Sequence, residues 1–323
     1  MEEFQHQLFT VLGALICFHI LVKCILFLKY IFPHTWNALP QAFFRSQGEW
    51  AVVTGAGDGL GKAYCFELAK RGLNIVMISR TLEKLQRAAA EIEQATGQQV
   101  KIIQADFTKD SVYENIEESL EGLEIGVLVN NVGMLHNPLP CRFLNGPDVD
   151  ESLINCNIIS VTKMTQIVLK QMELRQKGLI LNLSSGLGTF PCPLYTMYSA
   201  SKIYSALLLP RQDSRVPSKH HLYTSIYIQV LRGSYVKVVA PFGVSTPMTM
   251  HQKPSLITKM PEEFVNESLD YVTFGDEIFG CLAHEILACI LRLIPLWVFH
   301  SDRFQEAVLT TFSGYLKRNW KKP

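Results

Sequence analysis

The chain has 323 residues, 30 Lys plus Arg against 29 Asp plus Glu, and a formal net charge of +1. That length suits one α/β domain with appendages. The even balance offers no electrostatic case for nucleic acid, which is excluded as a partner on this ground. Eight cysteines are scattered without C-x-x-C or metal-type spacing, so the expectation is reduced thiols facing the cytosol and no metal site.

At the amino terminus, Leu8 to Phe32 is almost wholly apolar and long enough to cross a bilayer of about 30 Å as a helix. The chain begins with Glu2 and Glu3 rather than a basic start, which favours a retained anchor over a cleaved signal. Lys23, Lys29 and Arg45 lie late in or just after the segment and put the folded part on the cytosolic side. Lys23 shortens the uninterrupted run and leaves an interfacial or re-entrant hairpin open; both versions have membrane lipid as a partner.

From Glu49 onward, short apolar runs alternate with segments of helical period, the pattern of a doubly wound parallel sheet, an α/β Rossmann-type fold. Strands are predicted near 50–54, 74–79, 100–105, 125–130 and 179–184. Between them run helices with stripes Leu60, Tyr64, Leu68, then Leu82, Leu85, Ala89, Ile92, and later Val161, Met164, Val168, Met172. The division predicted is an anchor and linker over 1–47, a Rossmann domain over 48–300 and a basic tail over 301–323.

Between the first strand and its helix lies TGAGDGLG, with Thr54, Gly55, Gly59, Leu60 and Gly61 as candidate cofactor contacts. Glycines there turn the chain tightly and let backbone amides approach a pyrophosphate. The second strand ends in Ser79-Arg80, where an acidic residue would accept from an NAD ribose; arginine favours the 2′-phosphate of NADP. Asp106 ends the third strand near the adenine edge, and Asn130 and Gly133 follow the fourth, Asn130 serving either the sheet or the ribose. Tyr198 and Lys202 are spaced i, i+4 and share a helix face, with Ser185 at the end of the strand before. A tyrosine used as acid near neutrality needs a cation beside it, and Lys202 supplies one.

TGAGDGLG, NNVG (130–133), Asn157, NLSSG (182–186) and YSASK (198–202), in that order, resemble the short-chain dehydrogenase/reductase family over about residues 48–202. The segments LAKRGLNIVMISRTLEKL and CLAHEIL look more particularly like its membrane-bound hydroxysteroid dehydrogenases. The resemblance implies an NADPH-dependent reduction of a steroid 17-ketone, androstenedione to testosterone, at the endoplasmic reticulum membrane, with a homodimer among the family's habits. It assigns Tyr198 as proton donor, Ser185 as the polariser of the ketone oxygen, Lys202 as holder of the ribose and Asn157 as the orienter of a relay water. Phe190, Leu194, Tyr195 and Met248 are candidates for the steroid wall, and Thr246 for the nicotinamide amide. A 3-ketoacyl-CoA reductase of the same family, and a protein that binds NADPH without turnover, stay open as alternatives.

The pattern breaks after Lys202. Pro210 is expected to end the helix about two turns on, 211–225 reads as a loop, and the sixth strand has two candidates, Ile226–Leu231 and Val236–Ala240, the second favoured by the Pro241-Phe242-Gly243 that follows. Phe242 stands where the family usually has glycine. Further on, His284, Glu285 and Arg292 at helical intervals in 276–299 suggest a docking or membrane-surface helix, Pro295–Phe299 a last strand, and Lys317, Arg318, Lys321 and Lys322 a lipid-touching end.

Overall fold

The computed structural model describes residues 2–31, 39–40, 42–137, 140–145, 151–190, 192–207 and 234–319. The chain divides into two units, Met1–Pro40 and Gln41–Pro323. The first holds one unbroken helix, α1 (Glu2–Ile31). Its stretch Phe4–Ile25 is 22 residues long and apolar enough to cross a membrane, about 33 Å at 1.5 Å per residue. A single helix replaces the hairpin alternative.

In the second unit, β1 (Trp50–Thr54), β2 (Asn74–Ser79), β3 (Val100–Gln104), β4 (Ile125–Asn130), β5 (Gly178–Leu183), β6 (Ser234–Val239) and β7 (Glu277–Ile278) form one sheet in the order β3-β2-β1-β4-β5-β6-β7. Every pairing is parallel. All residues of β4 and β5 are buried, which is why their sequences read as continuous apolar runs. The crossovers are α2 (Gly59–Lys70), α3 (Leu82–Thr96), α4 (Tyr113–Leu120), α5 (Ser160–Arg175) and α6 (Thr196–Leu207). The order turns back between β1 and β4, and the loops at the carboxyl ends of these strands open a crevice there.

On one face of the sheet, Met164, Val168 and Met172 of α5 join Ile116 and Leu120 of α4 over Val52, Val76, Leu128 and Ile180. Each such buried side chain contributes about 1.5–3 kcal/mol. Leu85, Ala89 and Ile92 of α3 are buried as their spacing predicts. Leu60 departs from its predicted stripe: Tyr64 and Leu68 are buried, but Leu60, in the first turn of α2, lines the crevice.

The sixth strand is the favoured candidate, since Ser234–Val239 pairs with Gly178–Leu183. The rival Ile226–Leu231, the loop 211–225 and Pro210 lie outside the described residues, as do Lys321 and Lys322. Beyond β6 come α7 (Pro261–Asp270), α8 (Leu282–Arg292), α9 (Leu296–His300) and α10 (Asp302–Asn319). Pro295–Phe299 is not a strand. Pro295 caps α9 from an extended conformation, and the sheet edge is taken by Glu277–Ile278 against Val238–Val239. Residues assigned to a tail begin α10, whose Phe304 packs edge-on to Phe299 with centroids 5.4 Å apart.

Candidate active site

The turn after β1 is built around its glycines. Gly55 and Gly59 hold φ of +65° and +54°, in the left-handed region that side chains disfavour. A Cβ on Gly61 would lie 2.1 Å from the Gly55 carbonyl oxygen, so any larger residue there drives the first turn of α2 out of the loop. Asn131 locks this turn to β4 by donating from Nδ2 to Thr54 O at 3.0 Å and Gly55 O at 3.2 Å. Thr54 is buried; its hydroxyl accepts from the Asn131 and Val132 amides at 3.0 and 3.1 Å. Its part is the shape of the loop. Asn131 is the second asparagine of NNVG, and that motif was its sign in the sequence.

Asn130 serves the sheet: its Nδ2 donates to Thr165 Oγ1 at 3.0 Å and Asn182 Oδ1 at 2.9 Å. Asp106 lines the crevice and accepts from the Thr108 amide and hydroxyl at 3.2 and 2.9 Å. Ser79 and Arg80 line its far end. There Lys84, one turn into α3, reaches across to Asp58 at 2.6 Å. Lys84 was legible as the residue four past Arg80, on the face of α3 turned toward the glycine loop.

At the other end stand Ser185, Tyr198 and Lys202. Ser185 caps the single turn Gly186–Thr189, accepting from the Leu187 amide at 3.2 Å, and its side chain is hydrogen-bonded to Tyr198. Burial pushes the Tyr198 hydroxyl up to about 12, opposed by that bond. Lys202 is drawn down to about 8 by burial. Its Nζ donates to Leu183 O at 2.9 Å and sits 5.9 Å from the Tyr198 ring centroid. Desolvation is the larger effect on both groups. A Cβ on Gly133 would come within 3.0 Å of that Nζ, so Gly133 keeps room for the ammonium.

Asn157 lies on a π turn, Asn155–Ile159, just ahead of α5, a distortion that often marks functional positions. Its Oδ1 accepts from Met134 N at 2.8 Å, and its Nδ2 donates to Met134 O at 3.0 Å and Ser201 Oγ at 2.9 Å. These contacts make it a brace between the loop after β4 and α6. Ser184 Oγ donates to Lys202 O at 2.8 Å. The helix bearing Tyr198 and Lys202 is thus pinned from two sides before the divergent segment begins.

Of the four steroid-wall candidates, Tyr195 and Met248 line the crevice. Phe190 and Leu194 do not. Phe190 stacks on Phe242, centroids 5.9 Å apart, and Phe242 on Phe279 at 5.5 Å. This stack absorbs the Phe242 that departs from the family pattern. Leu194 is buried beside Cys141. Thr246 closes over the glycine loop, with its Cβ 3.4 Å from where a Gly59 Cβ would be. Arg80, Gly55, Gly59, Ser185, Tyr198, Lys202, Thr246 and Met248 border one cavity of about 600 Å³, continuous from Arg80 past the glycine loop to the Tyr198 end.

A short-chain dehydrogenase family model matches residues 49–212. The chain belongs to that family. It is 56% identical over 321 residues to human 17-beta-hydroxysteroid dehydrogenase type 3, covering 99% of each chain. It is 42% identical over 255 residues to the very-long-chain 3-oxoacyl-CoA reductase of Macaca fascicularis, covering 78% of this chain and 77% of that one. Among solved structures, a 7beta-hydroxysteroid dehydrogenase aligns with a TM-score of 0.63 and 22% identity, over 84% of this chain and 99% of that one.

Proposed function

We propose that this oxidoreductase is an NADPH-dependent 17-ketosteroid reductase that converts androstenedione to testosterone. The observation that carries the reading is the single cavity joining a cationic end, at Arg80, to an acid end, at Tyr198, in a chain whose 56% identity to a 17-beta-hydroxysteroid dehydrogenase runs nearly end to end. The length of the cavity and the glycine-lined approach to the amino end of α2 fit an extended dinucleotide. In this reading Arg80, seconded by Lys84, takes the 2′-phosphate, the loop Gly55–Leu60 the pyrophosphate, Lys202 the ribose, and Thr246 the nicotinamide amide. NADPH supplies the hydride. Ser185 donates a hydrogen bond to the ketone oxygen and Tyr198 gives it a proton, so the carbonyl becomes an alcohol. With its hydroxyl pushed up to about 12, Tyr198 carries its proton at neutral pH, and a cation brought against it in the complex is what lets it release that proton to the ketone oxygen. Asn157 acts as a positioning residue, and Tyr195 and Met248 form part of the steroid wall.

Lys202 gives a pH dependence with a definite sign. A ribose-holding contact favours its ammonium, so its pKa in the complex lies above the value of about 8 set by burial, and binding takes up a proton. NADPH affinity is then full below pH 8 and weakens as pH rises past it, by up to about tenfold per unit. Fluorescence titration of NADPH from neutral to alkaline pH checks this; a flat profile contradicts it, and Lys202→Met should flatten it.

The amino-terminal helix Phe4–Ile25 supports membrane attachment, and Lys23, Lys29 and Arg45 after its start support a catalytic unit on the cytosolic side of the endoplasmic reticulum. The rival reading is a 3-oxoacyl-CoA reductase, favoured by the relative at 42% identity. Side-by-side turnover with NADPH separates the two. The steroid reading predicts kcat/KM for androstenedione well above that for a long-chain 3-oxoacyl-CoA, and the reverse order rejects it.

A further inference from the structure

Helix α8 faces the wrong way for a helix of a water-soluble surface. Two of its ionisable residues, His284 and Glu285, are 0% and 2% exposed. Glu285 accepts from the Phe279 and Gly280 amides. His284 takes the Phe242 amide on Nδ1 at 3.3 Å and meets Ile257 O with Nε2 at 2.7 Å, which fixes a neutral ring with its proton on Nε2. Burial lowers the pKa of that ring further. The interior thus takes His284 and Glu285, while Arg292 at the end of the helix stays half-exposed. What it leaves outside is a stripe at helical spacing, Ile286, Ile290 and Leu293, prolonged by Leu296 and Trp297 of α9. Ile290, Leu293 and Trp297 are 52%, 83% and 73% exposed. Contiguous apolar side chains at such exposure are costly in water and mark an interaction surface.

We infer that the α8–α9 face docks on the lipid surface of the membrane to which the chain is anchored, and that an apolar substrate enters the cavity beside it. This rests on the proposal that the chain works at a membrane on an apolar ketone. Three observations select lipid as the occupant. The chain carries its own apolar helix of membrane-crossing length, so a bilayer is always close to the tethered catalytic unit. The face ends in an exposed tryptophan, with the half-exposed Arg292 at the end of α8. That pairing, an amphipathic ring and a basic group beside branched aliphatics, is the composition of an interfacial helix. Finally, Leu287 on α8 lines the same cavity as Tyr198, so the helix is at once outer face and inner wall. A steroid dissolved in lipid reaches the cavity by passing this helix.

The test uses the full chain in phosphatidylcholine vesicles whose acyl chains carry bromine, a short-range quencher of tryptophan emission, and it requires no turnover. Wild-type emission should show a quenched component that Trp297→Phe lacks. Leu293→Glu, which keeps Trp297 and the anchor, should weaken that component while the protein still floats with the vesicles and binds NADPH. In activity measurements, Leu293→Glu should raise KM for vesicle-borne ketosteroid several-fold at unchanged kcat. Equal quenching in wild type and Trp297→Phe overturns the proposal. So does an unquenched Trp297 in a dimer that Leu293→Glu separates, which assigns the face to a second copy. A chain without ketosteroid turnover whose Trp297 is quenched sinks the function while leaving the docking intact.

Discussion

Arg80→Glu is expected to raise KM for NADPH about 100-fold, the equivalent of one charge-assisted hydrogen bond of about 1.5–3 kcal/mol lost from a phosphate, while leaving NADH within a few-fold of the wild type. Arg80 is exposed at the end of β2, at the opening of the cavity, where Gln104 Nε2 holds its carbonyl oxygen at 3.0 Å. Among the described residues no ion pair engages its guanidinium, whereas Lys84 is already tied to Asp58 at 2.6 Å. The arginine therefore supplies the larger share of the selectivity. A glutamate in its place repels the 2′-phosphate but accepts from the ribose hydroxyls of NADH, so the preference inverts rather than fading. Lys84→Met should cost less, because its ammonium must first leave Asp58, and the pair is exposed enough to be worth under about 1 kcal/mol. Steady-state kinetics with both nucleotides at fixed ketosteroid decides the matter. An Arg80→Glu enzyme that still prefers NADPH would place the 2′-phosphate elsewhere.

The sheet was legible because parallel strands buried on both faces spell themselves as apolar runs between helical stripes, and here five predicted strands fall within a residue or so of their observed limits. The turn at Gly55–Gly61 was legible for a similar reason, since only glycine tolerates those torsions and contacts. Direction within loops was not. Nothing in the order of residues tells that Phe190 turns to Phe242 while Tyr195 turns to the cavity, because a loop has no period to assign its faces. Pro295 misled since a proline opens a helix as readily as it marks a strand edge. The α8 sequence has a clear helical stripe, and the structure turns its His284 and Glu285 inward. Periodicity reveals two faces but not which one meets the core. Asn157 was found through the family's motif, but its service to the Met134 backbone and Ser201 depends on a π turn that spacing does not announce.

The second large effect concerns the chemistry itself. Tyr198→Phe removes one hydroxyl and little else. The ring still fills its buried site beside Lys202, Ser185 keeps the Leu187 amide, and the brace from Asn157 to Ser201 does not touch the lost group. Binding of NADPH should stay within a few-fold of the wild type. The ketone, however, loses its proton donor, and removal of a positioned general acid costs about 10³-fold in kcat. Ser185 is no equal substitute, since its alkyl hydroxyl is a far weaker acid than a phenol. A fall in kcat with an equal fall in NADPH affinity would instead mark Tyr198 as a packing residue.

Following the label from NADPH deuterated at the transferred position puts both halves of the account into one measurement. With the full chain in membranes, the account predicts that androstenedione becomes testosterone carrying deuterium at C17, and that Tyr198→Phe forms it about 10³-fold more slowly at saturating NADPH. Unlabelled product, no product from the wild type, or equal rates from the two proteins would contradict it.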